Sequence, residues 1–457
     1  MNRTRSAAGL AIVAALCLSL GSAASLRAQA AASGQEGAAK PQYTMAEYNS
    51  YKACADEKNP TAQIKCLDDF VSKYPNSQLM IYVLPLYVQS YSALKNYPKL
   101  IEYADKTAAL GDKVDAATRY NSYYTHAVAW YTMISDPNNK AAQTDAAMAK
   151  SAQDAVDNAL KTLPEVKKPD NVADDVFNKQ KEQSQITLNG IAAQAAVIQK
   201  DYPKAIEYYK AVLALDPDDP VTNYRLGQVY LAMTPPQTMD AFWYVARAIS
   251  SKKATQQQVT SLKTYLRKLM ANYQQAACDN LTDAELAELI QLASTSPTRP
   301  DTYKLPSVDD LTAARKDMTI ASVIADLKAG GDKGKVTWLA ACGLEFPDVP
   351  GKLIEITPGT DVVELKVAFV TSDAEFQAAT TPNMDVKIVG QPEAARLEKD
   401  NPVRFTATLM SYDPDPNFML HWEKGKVNAE DIPKEKEAPK RPARRPAPKK
   451  PSGRRSN

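Results

Sequence analysis

Two histidines, five cysteines and one glycine-rich turn are the residues of this 457-residue chain best suited to chemistry. His126 stands among Tyr120, Tyr123, Tyr124 and Tyr131, the setting of a packed imidazole and not of a proton shuttle. His421 alternates outward beside Trp422 on an expected strand, so it is read as a surface residue. Cys and His nowhere cluster at zinc spacing. Gly330-Gly331-Asp332-Lys333-Gly334-Lys335 has the composition of a phosphate loop, but the glycine spacing is wrong. Val336 also stands where Ser or Thr is needed, and a helix precedes it instead of a strand. Asp413, Asp415 and Asn417 offer oxygens to calcium, yet the alternating prolines fit a stiff hairpin turn better. No G-x-S-x-G occurs. No catalytic residue, metal or cofactor is assigned, and the chain reads as a non-enzyme.

The cysteines point to structure. Beyond Cys17 they are Cys54, Cys66, Cys278 and Cys342, which allow three pairings. Residues 45–57 and 61–74 read as two helices joined by a short turn. Cys54 lies near the end of the first and Cys66 about as far into the second, so an antiparallel hairpin brings them within bridging range. Whether Cys278 and Cys342 pair is left open.

Such a bridge needs an oxidising compartment, and the N-terminus supplies an address. Arg3 and Arg5 precede an apolar run, Ala8–Leu20, and Ala28-Gln29-Ala30 fits a cleavage site. Residues 1–30 are read as a signal peptide, with earlier cuts after Ala23 or Ala24 as alternatives. Leu16 before Cys17 argues against a lipoprotein. The expected location is periplasmic or secreted.

The elements that must position everything else are helices. From Tyr43 to Ala277 apolar residues recur at three and four, with Pro or Gly breaks about every fifteen residues. Helices are expected over 45–57, 61–74, 78–94, 98–110, 115–134, 141–162, 172–199, 203–215, 221–233, 239–250 and 256–277. Paired helices at this spacing call for a repeat search. Leu226-Gly227-Gln228-Val229-Tyr230 follows Ala193 and Ala196 at a period of about 34 residues. Ala205 and Tyr209 supply a small-then-aromatic pair in the second helix, and Pro217 closes that unit. Ala241, Val245 and Ala248 repeat the logic after Thr234-Pro235-Pro236.

These residues resemble the tetratricopeptide (TPR) repeat, specifically over 186–217 and 220–253. Asn189 and Asn223 stand where the family usually has Trp. Phe70 to Ser77 resembles the second-helix ending of variants found in envelope proteins. The resemblance implies an α-solenoid of helical hairpins over 41–277 that binds partner proteins in a groove. Twenty-one of the 23 tyrosines lie between Tyr43 and Tyr273. Packing explains most of them; Tyr87, Tyr91, Asn189 and Asn223 are expected to line the groove, on first-helix position alone.

A helical connector is expected over 281–330, with a capping box at Thr282–Glu285 and another helix from Ser307. Ala329-Gly330-Gly331-Asp332 should end the helical half. Over 336–428 the period falls to two: Val363, Leu365, Val367 and Phe369 alternate with Glu364, Lys366 and Ala368. Strands are expected at 352–357, 362–371, 386–389, 402–412 and 417–424, with a short helix at 392–398. That count and order match a small antiparallel five-stranded OB-like β-barrel. The segment Leu397–Leu420 also resembles the closing strands of small bacterial OB-like domains. The expected fold is therefore α+β and multidomain.

Residues 429–457 form a basic Pro/Ala/Lys/Arg tail that carries Lys440, Arg441, Arg444, Arg445, Lys449, Lys450, Arg454 and Arg455. It holds no apolar residue larger than Ala beyond Pro433, so disorder is expected. The leading functional expectation is an exported scaffold for envelope proteins, its tail resting on anionic surfaces. The alternative is a binder of glycan, lipid phosphate or nucleic acid led by the barrel and tail. Nucleic acid suits an exported protein poorly.

Overall fold

The structure is a computed structural model that describes residues 43–275, 277–359 and 361–434. The expected signal peptide and the basic residues from Lys440 to Arg455 lie outside the described residues. The helices are α1 (Met45–Asp56), α2 (Pro60–Lys73), α3 (Met80–Ala93), α4 (Tyr97–Ala108), α5 (Ala116–Ser135), α6 (Lys140–Thr144), α7 (Ala146–Thr162), α8 (Asp174–Gln199), α9 (Tyr202–Leu215), α10 (Pro220–Ala232), α11 (Thr238–Ser250), α12 (Gln256–Gln274), α13 (Asp279–Thr295), α14 (Val308–Lys316), α15 (Ile320–Ala329), α16 (Gly331–Ala341) and α17 (Asp373–Ala378). The strands are β1 (Glu345–Thr357), β2 (Val362–Phe369), β3 (Met384–Val389), β4 (Pro402–Asp413) and β5 (Met419–Val427).

The chain forms two compact units. One runs to Leu266 and takes in Leu286–Lys304; the other comprises Arg267–Glu285 and everything from Leu305. Helices α12 and α13 each pass from one unit to the other.

Within the first unit successive helices pack as antiparallel hairpins. Their boundaries follow from capping and from proline. Asn96 and Asp201 each accept a hydrogen bond from the third residue on, Lys99 N–H and Lys204 N–H, at 3.3 and 3.1 Å. Pro98 and Pro203 sit in the first turn, where a missing N–H costs nothing. The residues before those caps, Lys95 and Lys200, take left-handed backbone at φ 54° and 62°. Lys99 and Lys204 then reach Glu102 and Glu207, both at 2.8 Å. Asn96-Tyr97-Pro98-Lys99 and Asp201-Tyr202-Pro203-Lys204 are thus one device used twice, and α3–α4 repeats α8–α9. This match extends the repeat to the earlier hairpin.

Small residues set the spacing between helices. Ala192, Ala193, Ala195, Ala196 and Ala205 are fully buried, and Tyr209 fills the room they leave. Gly227 is the tightest point: a Cβ there would lie 2.8 Å from Val245 Cγ2 and 3.0 Å from the Ala241 carbonyl. Trp130 and Trp243 are fully buried. His126 is buried as expected, its Nδ1 2.6 Å from Asp105 Oδ1. Cys54 and Cys66 form the expected disulfide between α1 and α2.

Burial pushes the phenols of Tyr120, Tyr209 and Tyr230 up to about 12. An unfolded tyrosine releases its proton near 10, so between about 10 and 12 the folded state holds more protons. Stability of this unit is therefore expected to be complete below pH 10 and to fall as pH rises toward 12. Thermal melts followed by circular dichroism across that window check it; a flat midpoint would contradict it.

The second unit holds the β domain. The strands close into a barrel in the order β1-β2-β3-β5-β4. Four pairs are antiparallel, but β3 and β5 run parallel, which corrects the all-antiparallel expectation. The reason is the crossover through β4, which returns the chain beside β3 in the same direction. A 3-10 turn, Pro392–Arg396, stands between β3 and β4 where a short helix was expected. The core is Val363, Leu365, Val367, Val386, Phe405 and Trp422 with their neighbours, all nearly fully buried.

Other expectations need correction. Helix α13 starts at Asp279, so Thr282 and Glu285 are buried interior residues and not a capping box. The helical part does not end at Gly330-Gly331. Gly330 has φ 67° and turns the chain directly into α16, which runs to Ala341. The first strand starts at Glu345, ahead of the expected 352–357. Cys278 and Cys342 form a second disulfide that fastens the start of α13 to the end of α16.

Candidate protein-binding surface

The four residues expected in a groove have different fates. Tyr87 is buried, and its hydroxyl donates to Asp68 Oδ1 at 2.7 Å. Burial and that carboxylate hold its phenol far above the usual range. Its ring stacks on Tyr103 at 4.1 Å, and Tyr91 closes the stack at 5.3 Å from Tyr103. Tyr91 alone of the four is half-exposed. Asn189 and Asn223 are buried, and both donate to the carbonyl four residues back, Gln185 at 2.8 Å and Asp219 at 2.9 Å. Asn223 also donates to the Pro217 carbonyl at 3.2 Å. An amide at the usual Trp position thus pins helix and turn, so these two residues, like Tyr87, line no groove.

The signature residues are packing devices too. Ala193, Ala205, Ala241 and Ala248 are fully buried, Leu226 packs beneath them, and Tyr230 stacks on Tyr244 at 5.6 Å. The Pro217 carbonyl also accepts from Arg247 Nη2 at 2.9 Å. Arg247 Nη1 donates onward to the carbonyls of Ala293 and Ser296 at 3.0 and 2.8 Å.

What remains for a partner lies elsewhere on the first helices of the hairpins. In α3, Val83, Tyr87 and Ser90 face the core, while Ile81, Leu84, Pro85 and Val88 form a second apolar stripe, half-buried and outside the core cluster. A helix apolar on two faces packs on one side and has apolar surface left over on the other. In α10, Arg225 is half-buried beside the phenols of Tyr131 and Tyr209. Burial opposes its charge, but Tyr209, Tyr131 and Asp219 hold its pKa above the usual value. The Gln194 amide donates to the Tyr209 hydroxyl. Among the described residues Arg225 has no carboxylate at ion-pair distance. The sequence expectation fell on tyrosines and asparagines of the first helices and so missed Arg225; a lone arginine inside an apolar first helix is the signal to look for.

The barrel surface is self-satisfied where strands β2, β3 and β5 face outward. Lys366 reaches Asp385 at 3.2 Å, and Lys387 reaches Glu423 at 3.7 Å. His421 lies half-buried between Asp385 (3.4 Å) and Asp413 (3.0 Å). Trp422 and Phe405 point inward and touch edge to face. A single-strand reader needs exposed rings and an unopposed basic groove, and this face offers neither. Among the described residues no group of three Asp, Glu, His or Cys could hold a metal.

The first unit is thus an array of helical hairpins. Residues 193–233, the end of α8 through α10, match the family model of the TPR repeat. No curated protein matches the chain. The helical array carries a TPR repeat and a closed five-stranded barrel follows it, an arrangement that supports a protein-interaction scaffold.

Proposed function

We propose that this protein is an exported scaffold that binds partner proteins through the first helices of its TPR array. The observation that carries the reading is the leftover surface of α3 beside a repeat whose signature residues are all spent on packing. An apolar segment of the partner lies on Ile81, Leu84, Pro85 and Val88, and an acidic group of the partner answers Arg225. Export is supported by the N-terminal apolar run, by the A-x-A site and by the two disulfides. No helix among the described residues is long and apolar enough to cross a membrane.

A photo-crosslinking side chain placed at Val88 tests the reading in the source cell. One discrete adduct is expected, and Arg225→Glu should weaken it about tenfold, the loss typical of a desolvated charge contact. A smear of adducts, or one indifferent to Arg225→Glu, would sink the proposal. The competing polyanion reading rests on the tail alone. Residues 345–434 carry 16 Asp and Glu against 9 Lys and Arg, so the barrel itself repels anions.

A further inference from the structure

A different face of the barrel carries a cleft that partner binding does not use. Its volume is about 450 Å3, and Glu345, Asp348, Thr406, Lys424, Lys426 and Asn428 line it. Two β-bulges build it. Strand β1 slips against β4 between Phe346 and Val349, and Asp348 inside that slip has φ 51°. Strand β5 slips against β4 between Thr406 and Thr408, and Lys424 there has φ 55°. Left-handed backbone at a non-glycine residue costs about 1 kcal/mol or more, and bulges re-aim side chains. Here two such residues, opposite in charge, flank adjacent positions of β4 from either side. The Asp348 N–H donates to Thr406 Oγ1 at 3.3 Å, which fixes the floor.

The charges of this cleft differ from those of the paired cations elsewhere on the barrel. Lys352, Lys366, Lys387 and Arg404 all have carboxylate partners. Glu345, Asp348, Lys424 and Lys426 are exposed, and among the described residues none makes an ion pair within 4.0 Å. Two anions and two cations share one cleft without an ion pair between them. A purely anionic ligand would meet Glu345 and Asp348, and a purely cationic one would meet the lysines. Only a molecule bearing both signs leaves no like charges opposed.

We propose that the cleft binds a small zwitterion, with a primary ammonium toward Glu345 and Asp348 and a carboxylate toward Lys424 and Lys426, such as a short peptide with both termini free. The Thr406 hydroxyl supplies a neutral hydrogen bond between them. Calorimetric titration of the full chain at low salt compares glycylglycine with N-acetylglycylglycine, which lacks the ammonium, and glycylglycinamide, which lacks the carboxylate. Glycylglycine is expected to bind about tenfold tighter than either capped form. Lys426→Glu and Glu345→Lys should each abolish that preference with the melting curve unchanged. Should either reversal unfold the barrel, Lys426→Gln and Glu345→Gln read the same loss. Equal binding of all three probes, no heat from glycylglycine, or a preference that survives the substitutions would overturn the proposal.

Discussion

Gly227→Leu is expected to destabilise the helical unit by about 3 kcal/mol, the upper range for overpacking a filled core. The Cβ alone would stand 2.8 Å from Val245 Cγ2 and 3.0 Å from the Ala241 carbonyl, and the latter is backbone that cannot swing away. Helix α10 must then move off α11, and the stack of Tyr230 on Tyr244 opens with it. Gly190 on α8 is the control, because nothing lies within 4 Å of a Cβ built there. Gly190→Ala should stabilise by about 0.5–1 kcal/mol through helix propensity. Urea midpoints measure both. If Gly227→Leu cost no more than a surface change, the close approach of α10 to α11 would be wrong. Gly227→Ala combined with Val245→Ala should recover part of the loss, since the double change removes the Cγ2 contact but not the carbonyl.

Removal of the second disulfide carries the other large effect. Cys278 and Cys342 are 64 residues apart, and closing a loop of that size is worth about 4 kcal/mol in the chain-entropy account. The bridge between Cys54 and Cys66 closes only 12 residues and is worth about 3 kcal/mol on the same basis. Cys278→Ser with Cys342→Ser should therefore lower the midpoint of the second unit more than Cys54→Ser with Cys66→Ser lowers that of the first. The tryptophans separate the readouts, with Trp338 and Trp422 in the second unit and Trp130 and Trp243 in the first. An unchanged second-unit transition in the double serine variant would contradict the bridge.

The helices were legible in the sequence because they are punctuated locally. Asp201 and Asp219 cap, Pro203 and Pro220 open, and the apolar period between them is helical, so α9 and α10 fall within a residue or two of expectation. The first bridge was legible for the same reason, since it spans one hairpin. The second was not, because nothing near Cys278 reports that α16 ends beside it. The barrel was legible in strand count, but its parallel β3–β5 pair depends on a crossover that no local alternation records. Three of the four expected groove residues, Tyr87, Asn189 and Asn223, are buried because first-helix position alone does not fix which face a side chain takes. Asn189 and Asn223 face inward, where each side-chain N–H group donates to the carbonyl four residues back. The two bulges of the charged cleft were not legible either, since Asp348 precedes the first expected strand, 352–357, and Lys424 ends the last, 417–424.

The bridge between Cys278 and Cys342 also alters how the chain carries a pull. Tension applied at the two ends passes from one sulfur to the other and bypasses α13 to α16, which stay slack while the bond holds. Those 64 residues represent about 200 Å of hidden extension, at roughly 3.4 Å per residue. A tether built this way has two lengths, and a thiol reductant chooses between them.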